Sequence, residues 1–165
     1  QTVDGSAFDI DVLFQHRDKT LLPEEKKYPF FTAVKDSQTY YIVPMAGNGL
    51  WGPVWGFVAL EDDFQTIYGA AFDHKAETPG LGAEINTDFF ELPFKGKKIR
   101  DNDGKFVSIE VKKGGADEGN MSQVDGITGG TITSDGVSDM LYNTLKIYDD
   151  YFSTLNNMTD STLVI

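Results

Sequence analysis

The residues best suited to chemistry lie together in one short segment, from Asp125 to Asp135. Its glycines, at positions 126, 129 and 130, permit unusual backbone angles and a close approach by a ligand. Its hydroxyl side chains are Thr128, Thr131, Thr133 and Ser134. An amphipathic helix is predicted to follow at once, and the unpaired N–H groups at a helix start attract anions. The segment therefore predicts a phosphate-binding site near Thr131.

The residues of this segment also allow a plainer interpretation. A glycine-rich turn from a strand into a helix, capped by Ser or Thr, is a common structure with the same composition. A P-loop is excluded, because the segment lacks the Gly-Lys-Ser/Thr ending that such loops need. The spacing of these residues alone leaves two alternatives open, a phosphate-binding site and a turn whose Ser or Thr only caps the helix.

The elements that position the segment begin with three predicted strands. Tyr40–Met45, Val54–Leu60 and Phe64–Phe72 are rich in β-branched and aromatic residues. A Gly-rich bend and a short acidic turn join them, whereas parallel strands need a crossover of a dozen or more residues. The pattern predicts an antiparallel meander.

A hairpin and a long helix are predicted after the meander. Residues 97–100 and 105–112 flank the turn Asp101–Gly104, and alternation places Val107, Ile109 and Val111 on a buried face. From Ser134 to Leu155 the apolar period changes to about 3.6, with Thr133, Ser134 and Asp135 as candidate N-caps. The apolar stripe consists of Val137, Met140, Leu141, Leu145, Tyr148 and Phe152. Residues 156–165 are predicted to form a closing strand or a frayed end. We expect residues 1–165 to form a single α+β domain, with antiparallel sheet and packed helices.

Composition excludes several classes of function. The net charge of −12 argues against nucleic acid or an anionic membrane surface as the main partner. The chain has no cysteine, so disulfides, iron–sulfur clusters and thiolate metal sites are excluded. Its two histidines are too few for a typical zinc site, and no metal site is predicted. No apolar run reaches the roughly 18 residues that span a membrane.

Three motifs resemble those of FMN-binding domains. Asp125 to Thr131 resembles the flavinylation motif Asp-x-x-Ser/Thr-Gly-Ala-Thr, whose last Thr becomes esterified to the FMN phosphate, although Gly130 replaces the usual alanine. Glu77 to Gly82 matches the family signature Glu-Thr-Pro-Gly-Leu-Gly without a change. Residues 41–60, with Gly-Leu-Trp-Gly at their centre, are similar to the form of the family found in sodium-translocating NADH:quinone reductases. The paralogous flavin-carrying subunit of Rnf electron-transport complexes shares the first two motifs.

The resemblance implies a set of cofactor-binding residues. Thr131 would carry the covalent FMN, and Asp125 would act in its attachment. Lys112 is implicated by a cluster of basic residues between 95 and 113, where an anionic cofactor would find compensating charge. The other expected contacts to the flavin are Trp51, Glu77, Thr78, Gly80, Leu81, Gly82, Thr128, Gly129 and Gly130.

The resemblance also implies partners and a location. The domain would relay electrons among the other subunits of a membrane NADH:quinone reductase that exports sodium. It would face the periplasm from the bacterial inner membrane, held by an N-terminal membrane helix that is absent from these 165 residues. A flavin transferase using FAD and Mg²⁺ would add the FMN, so protein made without that enzyme is expected to lack flavin. The alternatives are an Rnf-type subunit and an extracytoplasmic ligand-binding module without redox function.

Overall fold

A four-stranded antiparallel sheet lies at the centre of the fold. The computed structural model describes residues 5–160, and the side-chain exposure of residues 7–154. The strands follow one another in the order β1-β2-β3-β4, and they span Phe31–Lys35, Gln38–Asn48, Pro53–Leu60 and Ile67–His74. The last three correspond to the predicted strands, so the antiparallel meander is confirmed.

Two details of the sheet differ from the prediction. Strand β1 pairs with β2 at the edge of the sheet and was not predicted, because most of its side chains are exposed and no apolar alternation marks it. Strand β4 begins at Ile67 instead of Phe64. Phe64 has a φ of 57°, which belongs to a turn and ends the extended backbone there.

The remaining elements pack around this sheet. Two short helices, Val12–Arg17 (α1) and Asp88–Glu91 (α2), precede two short strands, Glu110–Lys112 (β5) and Gln123–Asp125 (β6). A long helix, Thr131–Asp160 (α3), follows β6 after a five-residue loop. Short 3-10 helices lie at Gly5–Asp9, Pro23–Glu25, Gly82–Asn86 and Leu92–Phe94. Among the described residues, no helix is both long and apolar enough to cross a membrane.

Helix α3 supplies one side of the hydrophobic core. All six residues of the predicted apolar stripe are buried, in a cluster with Val43 and Met45 of β2. Helix was predicted only as far as Leu155, but α3 continues through residues 156–160, where a closing strand or a frayed end was expected. Residues 161–165 lie outside the described residues.

The start of α3 was predicted three residues too late. The helix begins at Thr131, and the carbonyl of Gly130 accepts a hydrogen bond from the N–H of Ser134 at 2.9 Å. Thr133 and Ser134 therefore lie within the first turn, where both are buried, and neither is the N-cap. The prediction was wrong because several consecutive Ser, Thr and Asp residues are all acceptable caps.

The predicted hairpin is only partly present. A single bridge joins Arg100 to Phe106 across the turn, and β5 then pairs in parallel with β6 instead of continuing a hairpin. Val107, expected on the buried face, is exposed. The physical reason is the φ of 63° at Ser108, because a positive φ interrupts the alternation of an extended chain.

Ser108 provides a test of this strained position. Its hydroxyl is buried and has no hydrogen-bond partner among the described residues. Ser108→Gly is expected to raise the free energy of unfolding by about 1 kcal/mol, because it relieves the positive φ and removes the unpaired hydroxyl. Urea unfolding measures the change. Ser108→Ala removes the hydroxyl but keeps the strain, so it should raise the free energy of unfolding by less than Ser108→Gly does. An equal or larger increase would show that the positive φ does not destabilise the protein.

Close backbone contacts fix α3 against the end of β2. A Cβ at Gly47 would lie 2.7 Å from Cβ of Met140, and a Cβ at Gly136 would overlap the carbonyl oxygen of Asn48. Side chains at these two glycines would hold the helix away from the strand. The first turns of α3 consequently lie beside the turn between β2 and β3.

Candidate functional site

The three family motifs of the sequence meet at the start of α3. The first is the turn between β2 and β3, closed by a hydrogen bond from Gly49 N–H to the Gly52 carbonyl at 2.7 Å. The second is the loop of residues 77–82 after β4. The third is the loop of residues 126–130 between β6 and α3. Segments that are distant in the sequence thus form one side of the molecule.

Glu77 lies at the point where these segments meet. Its side chain is buried, with 5% of the residue exposed. Oε1 accepts a hydrogen bond from the backbone N–H of Trp51 at 2.8 Å, and Oε2 accepts one from the Thr133 hydroxyl at 2.5 Å. The backbone N–H of Glu77 donates to Nδ1 of His74 at 3.2 Å. Glu77 was predicted to line the flavin, and the structure places its carboxylate beneath the loop, where both oxygens bind groups of the protein.

The rest of the 77–82 loop turns tightly around this carboxylate. The carbonyl of Thr78 accepts hydrogen bonds from the N–H groups of Leu81 and Ala83 at 3.0 and 3.1 Å. Gly80 has a φ of 74°, which glycine adopts without strain. Thr78, Gly80 and Leu81 are exposed, whereas Gly82 is buried. The exposed residues are therefore available to a ligand.

The 126–130 loop packs closely against the 77–82 loop. Gly129 has a φ of 79°, and a Cβ on it would lie 2.6 Å from Cδ2 of Leu81. A Cβ at Gly130 would lie 3.0 Å from Cγ2 of Ile127 and 3.2 Å from the backbone nitrogen of Gly82. These contacts are tight, and Gly130, where the family motif usually has alanine, lets the two loops approach without displacing Ile127.

The structure separates the four hydroxyls of the motif. Thr133 donates to Glu77, and Ser134 Oγ accepts a hydrogen bond from the Ile127 N–H at 3.1 Å. Both residues are buried. Thr128 is exposed in the loop, and Thr131 is half-buried as the first residue of α3. Only Thr128 and Thr131 therefore present their hydroxyls at the surface.

The surroundings of Thr131 suit a phosphate attached to a flat apolar ring. Thr131, Ile132 and Thr133 lie in the first turn of α3, whose N–H groups have no carbonyl acceptor in the helix and form the positive end of the helix dipole. Exposed apolar side chains flank this turn on three separate segments. They are Leu50, Trp51, Leu81 and Ile132, and Trp51 is 65% exposed. Exposed apolar surface rimmed by polar groups is typical of a binding site.

Asp125 and Lys112 lie side by side on β6 and β5, where they are register partners. Asp125 is exposed, and its Oδ1 accepts a hydrogen bond from the Ala116 N–H at 2.7 Å. Lys112 forms an ion pair with Asp117, whose pKa is held below its usual value by the hydrogen bond and charge of that lysine. Both predicted residues thus contact the segment between β5 and β6, at Ala116 and Asp117.

Three residues of the basic cluster between 95 and 113 make contacts within the protein. Lys97 donates to the Asn120 carbonyl at 2.8 Å, Arg100 donates to Asp149 at 2.7 Å, and Lys95 lies over the ring of Tyr68. Lys97, Arg100 and Lys95 therefore stabilise the fold through these contacts. A contact between the cofactor and Lys112, the one member of the cluster named as a site residue, remains a prediction.

Thr133 is the main site residue that sequence reasoning misassigned. It was considered as one of the four hydroxyls of the segment and as a candidate N-cap, but its hydroxyl binds a carboxylate 56 positions away in the chain. Gly49 was noted as part of a bend and of the Gly-Leu-Trp-Gly motif, but its contact with Glu77 was not predicted, although a Cβ there would lie 2.5 Å from Oε1 of Glu77. No local pattern marks either contact, because both depend on long-range packing.

Comparison with known proteins identifies the class. Residues 49–146 match the FMN-binding domain family. The match covers more than half of the chain and includes all three segments of the site, and the chain therefore belongs to the FMN-binding domain family.

Within this family, the chain is similar to NqrC, a subunit of the Na(+)-translocating NADH-quinone reductase. The NqrC protein from Vibrio campbellii is 42% identical over 102 residues, which are 62% of this chain and 39% of that protein. The NqrC protein from Chlamydia muridarum is 37% identical over 137 residues, covering 73% of this chain and 43% of that protein. The chain spans about two fifths of the length of the curated relatives it matches.

Solved structures agree with the sequence relatives. The crystal structure of NqrC from Parabacteroides distasonis superposes with a TM-score of 0.76 and 48% identity, over 88% of this chain and 69% of that chain. The structure of NqrC from Shewanella oneidensis gives a TM-score of 0.67 and 29% identity, over 88% of this chain and 78% of that chain. The α+β fold and the resemblance to NqrC are confirmed.

Proposed function

We propose that this chain is the FMN-carrying domain of a sodium-translocating NADH:quinone reductase, with the FMN held as a phosphoester on Thr131. The observation that carries the proposal is the position of Thr131. It combines a surface hydroxyl, the start of α3 and the last position of the flavinylation motif. The relatives from Vibrio, Chlamydia and Parabacteroides are all NqrC proteins, which favours this complex over the Rnf alternative. No observation favours the redox-inactive binding module.

Attachment would be a phosphoryl-group transfer from FAD. The hydroxyl oxygen of Thr131 forms a bond to the phosphorus on the FMN side of FAD, and the pyrophosphate P–O bond breaks. AMP leaves, and the hydroxyl proton is lost to a base. A flavin transferase with Mg²⁺ would catalyse this step. Asp125, the exposed first residue of the motif, is then available to the transferase during modification.

The residues of this chain would bind and orient the cofactor. The first N–H groups of α3 would donate hydrogen bonds to the phosphate, as helix starts do for anions. Trp51, Leu81 and Ile132 would contact the ring and exclude water from part of its surface. When bound, FMN supplies single-electron transfer at a potential set by its surroundings. The electrons would pass between other subunits of a complex in the bacterial inner membrane, with this domain on the periplasmic side.

Thr131→Val is expected to abolish flavin attachment, because it removes the acceptor oxygen and preserves the branched shape of the side chain. Protein co-expressed with a flavin transferase is measured by intact mass and by flavin fluorescence in a denaturing gel. The wild type should gain the mass of FMN less one water, and protein made without the transferase should not.

Thr144→Val is the matched control, because Thr144 is half-buried further along the same helix and should leave attachment unchanged. Peptide mass mapping then locates the adduct. Persistence of the adduct in Thr131→Val, or its location on Thr128, would rule out the proposed linkage.

A further inference from the structure

A buried carboxylate connects the three segments of the site. We propose that Glu77 is a positioning residue, whose two hydrogen bonds hold the β2–β3 turn and the first turn of α3 in the arrangement that presents Thr131 for flavin attachment. This inference rests on the proposed function of Thr131. It assigns to Glu77 a role in the protein framework rather than a contact with the flavin ring.

Burial of Glu77 needs a physical explanation. A carboxylate with 5% exposure is costly unless hydrogen bonds or opposite charges compensate it. Among the described residues, the ion pairs are Arg100–Asp149, Lys112–Asp117 and Lys146–Asp150, so no lysine or arginine pairs with Glu77. Its compensation comes from two hydrogen-bond donors and from the positive end of α3. Stabilisation of Glu77 therefore depends on the same two segments that it connects.

Two glycines enclose the carboxylate on opposite sides. A Cβ at Gly49 would lie 2.5 Å from Oε1 of Glu77, and a Cβ at Gly82 would lie 2.6 Å from Oε2 and overlap the Thr133 hydroxyl. The β2–β3 turn and the 77–82 loop thus each contact the carboxylate through the backbone of a glycine, which has no side chain. Such close packing leaves Glu77 little freedom, and its connections are correspondingly rigid.

The connection to Thr133 determines the direction in which Thr131 points. Successive residues of an α-helix are turned by about 100°, so residues two apart lie on nearly opposite sides of the helix. Glu77 holds the Thr133 side chain inward, where it is buried. Thr131 is thereby turned towards the surface, and it is half-buried instead of buried. The hydrogen bond also occupies the Thr133 hydroxyl, which leaves Thr131 as the accessible hydroxyl of the first turn.

The test compares variants that break the connection with one that preserves it. Glu77→Ala removes both acceptors, and Thr133→Val removes the hydroxyl but keeps the side-chain shape. Glu77→Gln retains an oxygen for the Trp51 N–H and gains an N–H that can donate to Thr133. Glu84→Gln is the matched control, because the Glu84 carboxylate accepts a hydrogen bond in the same loop, from Gly80 N–H at 2.9 Å, without reaching α3.

The first measurement is the rate of flavin attachment to purified protein with transferase, FAD and Mg²⁺. The folded fractions of the variants are first checked by urea unfolding and made equal. Glu77→Ala and Thr133→Val should then lower the kcat of the transferase, with this protein as the acceptor, by about tenfold, because a misplaced nucleophile reacts slowly. Glu77→Gln should recover most of the rate, and Glu84→Gln should equal the wild type. Wild-type kcat in folded Thr133→Val would overturn the proposal, even if Glu77→Ala does not fold.

The second measurement does not depend on flavin. Trp51 and Trp55 are the two tryptophans of the chain, so a Trp55→Phe background leaves Trp51 as the only indole. In this background, Glu77→Ala and Thr133→Val should lower the fluorescence anisotropy of Trp51, and Glu84→Gln should not. Unchanged anisotropy in both variants would overturn the proposed connection. Failure of the wild type to accept flavin would instead overturn the proposed function, and the anisotropy result would still decide the role of Glu77.

Discussion

Replacing Gly136 with alanine is expected to lower the free energy of unfolding by about 2–3 kcal/mol. Gly136 lies in the second turn of α3, where alanine would ordinarily stabilise a helix by about 1 kcal/mol. The methyl group would, however, overlap the carbonyl oxygen of Asn48 at the end of β2. Neither backbone can yield without moving the helix off the sheet, so steric overlap outweighs helix propensity.

Chemical denaturation of the purified protein measures this change. Gly69→Ala is the matched control, because a Cβ at Gly69, in β4, would meet no atom within 4 Å. The control should leave the free energy of unfolding unchanged or raise it by up to about 1 kcal/mol, because glycine is unfavourable inside a strand. A Gly136→Ala protein as stable as the wild type, or more stable, would show that α3 does not approach β2 this closely. The same displacement would move Thr131, and flavin attachment should fall with stability.

Arg100→Met is expected to destabilise the protein by about 3–5 kcal/mol, because it leaves a buried charge without its partner. The Arg100 guanidinium donates to Oδ1 of Asp149 at 2.7 Å and to the Ser153 hydroxyl at 2.8 Å. Asp149 lies on α3 and is 5% exposed. Methionine preserves the apolar length of the side chain, so loss of packing contributes little to the expected change.

The neighbouring ion pair on the same helix is the control. Lys146 pairs with Asp150 four residues later, and both side chains are largely exposed. Lys146→Met should lower the free energy of unfolding by less than about 1 kcal/mol, because water and salt screen an exposed pair. If Arg100→Met and Lys146→Met lowered the free energy of unfolding equally, burial of the ion pair would not explain the effect at Arg100. Arg100 thus has a structural role within the basic cluster, since its guanidinium binds a buried carboxylate of α3.

Local patterns predicted the regular elements well. The apolar stripe from Val137 to Phe152 identified the buried face of α3, because a period of 3.6 is a direct consequence of helix geometry. Short turns between apolar segments identified the meander, since they cannot join parallel strands. The hairpin was predicted wrongly because one residue departed from its local pattern. Ser108 interrupted an apparent strand with a positive φ that serine rarely adopts.

The sequence by itself determined the candidate segment around Thr131, the order of its neighbouring motifs and the amphipathic helix behind it. Periodicity, glycine spacing and family motifs are local properties that the sequence displays directly. Only the tertiary structure decided which hydroxyl faces outward. That choice depends on Glu77 and Thr133, which are 56 positions apart, and on glycines that let three backbones meet at one carboxylate. Contacts of this kind arise from packing between distant segments, and no local pattern records them.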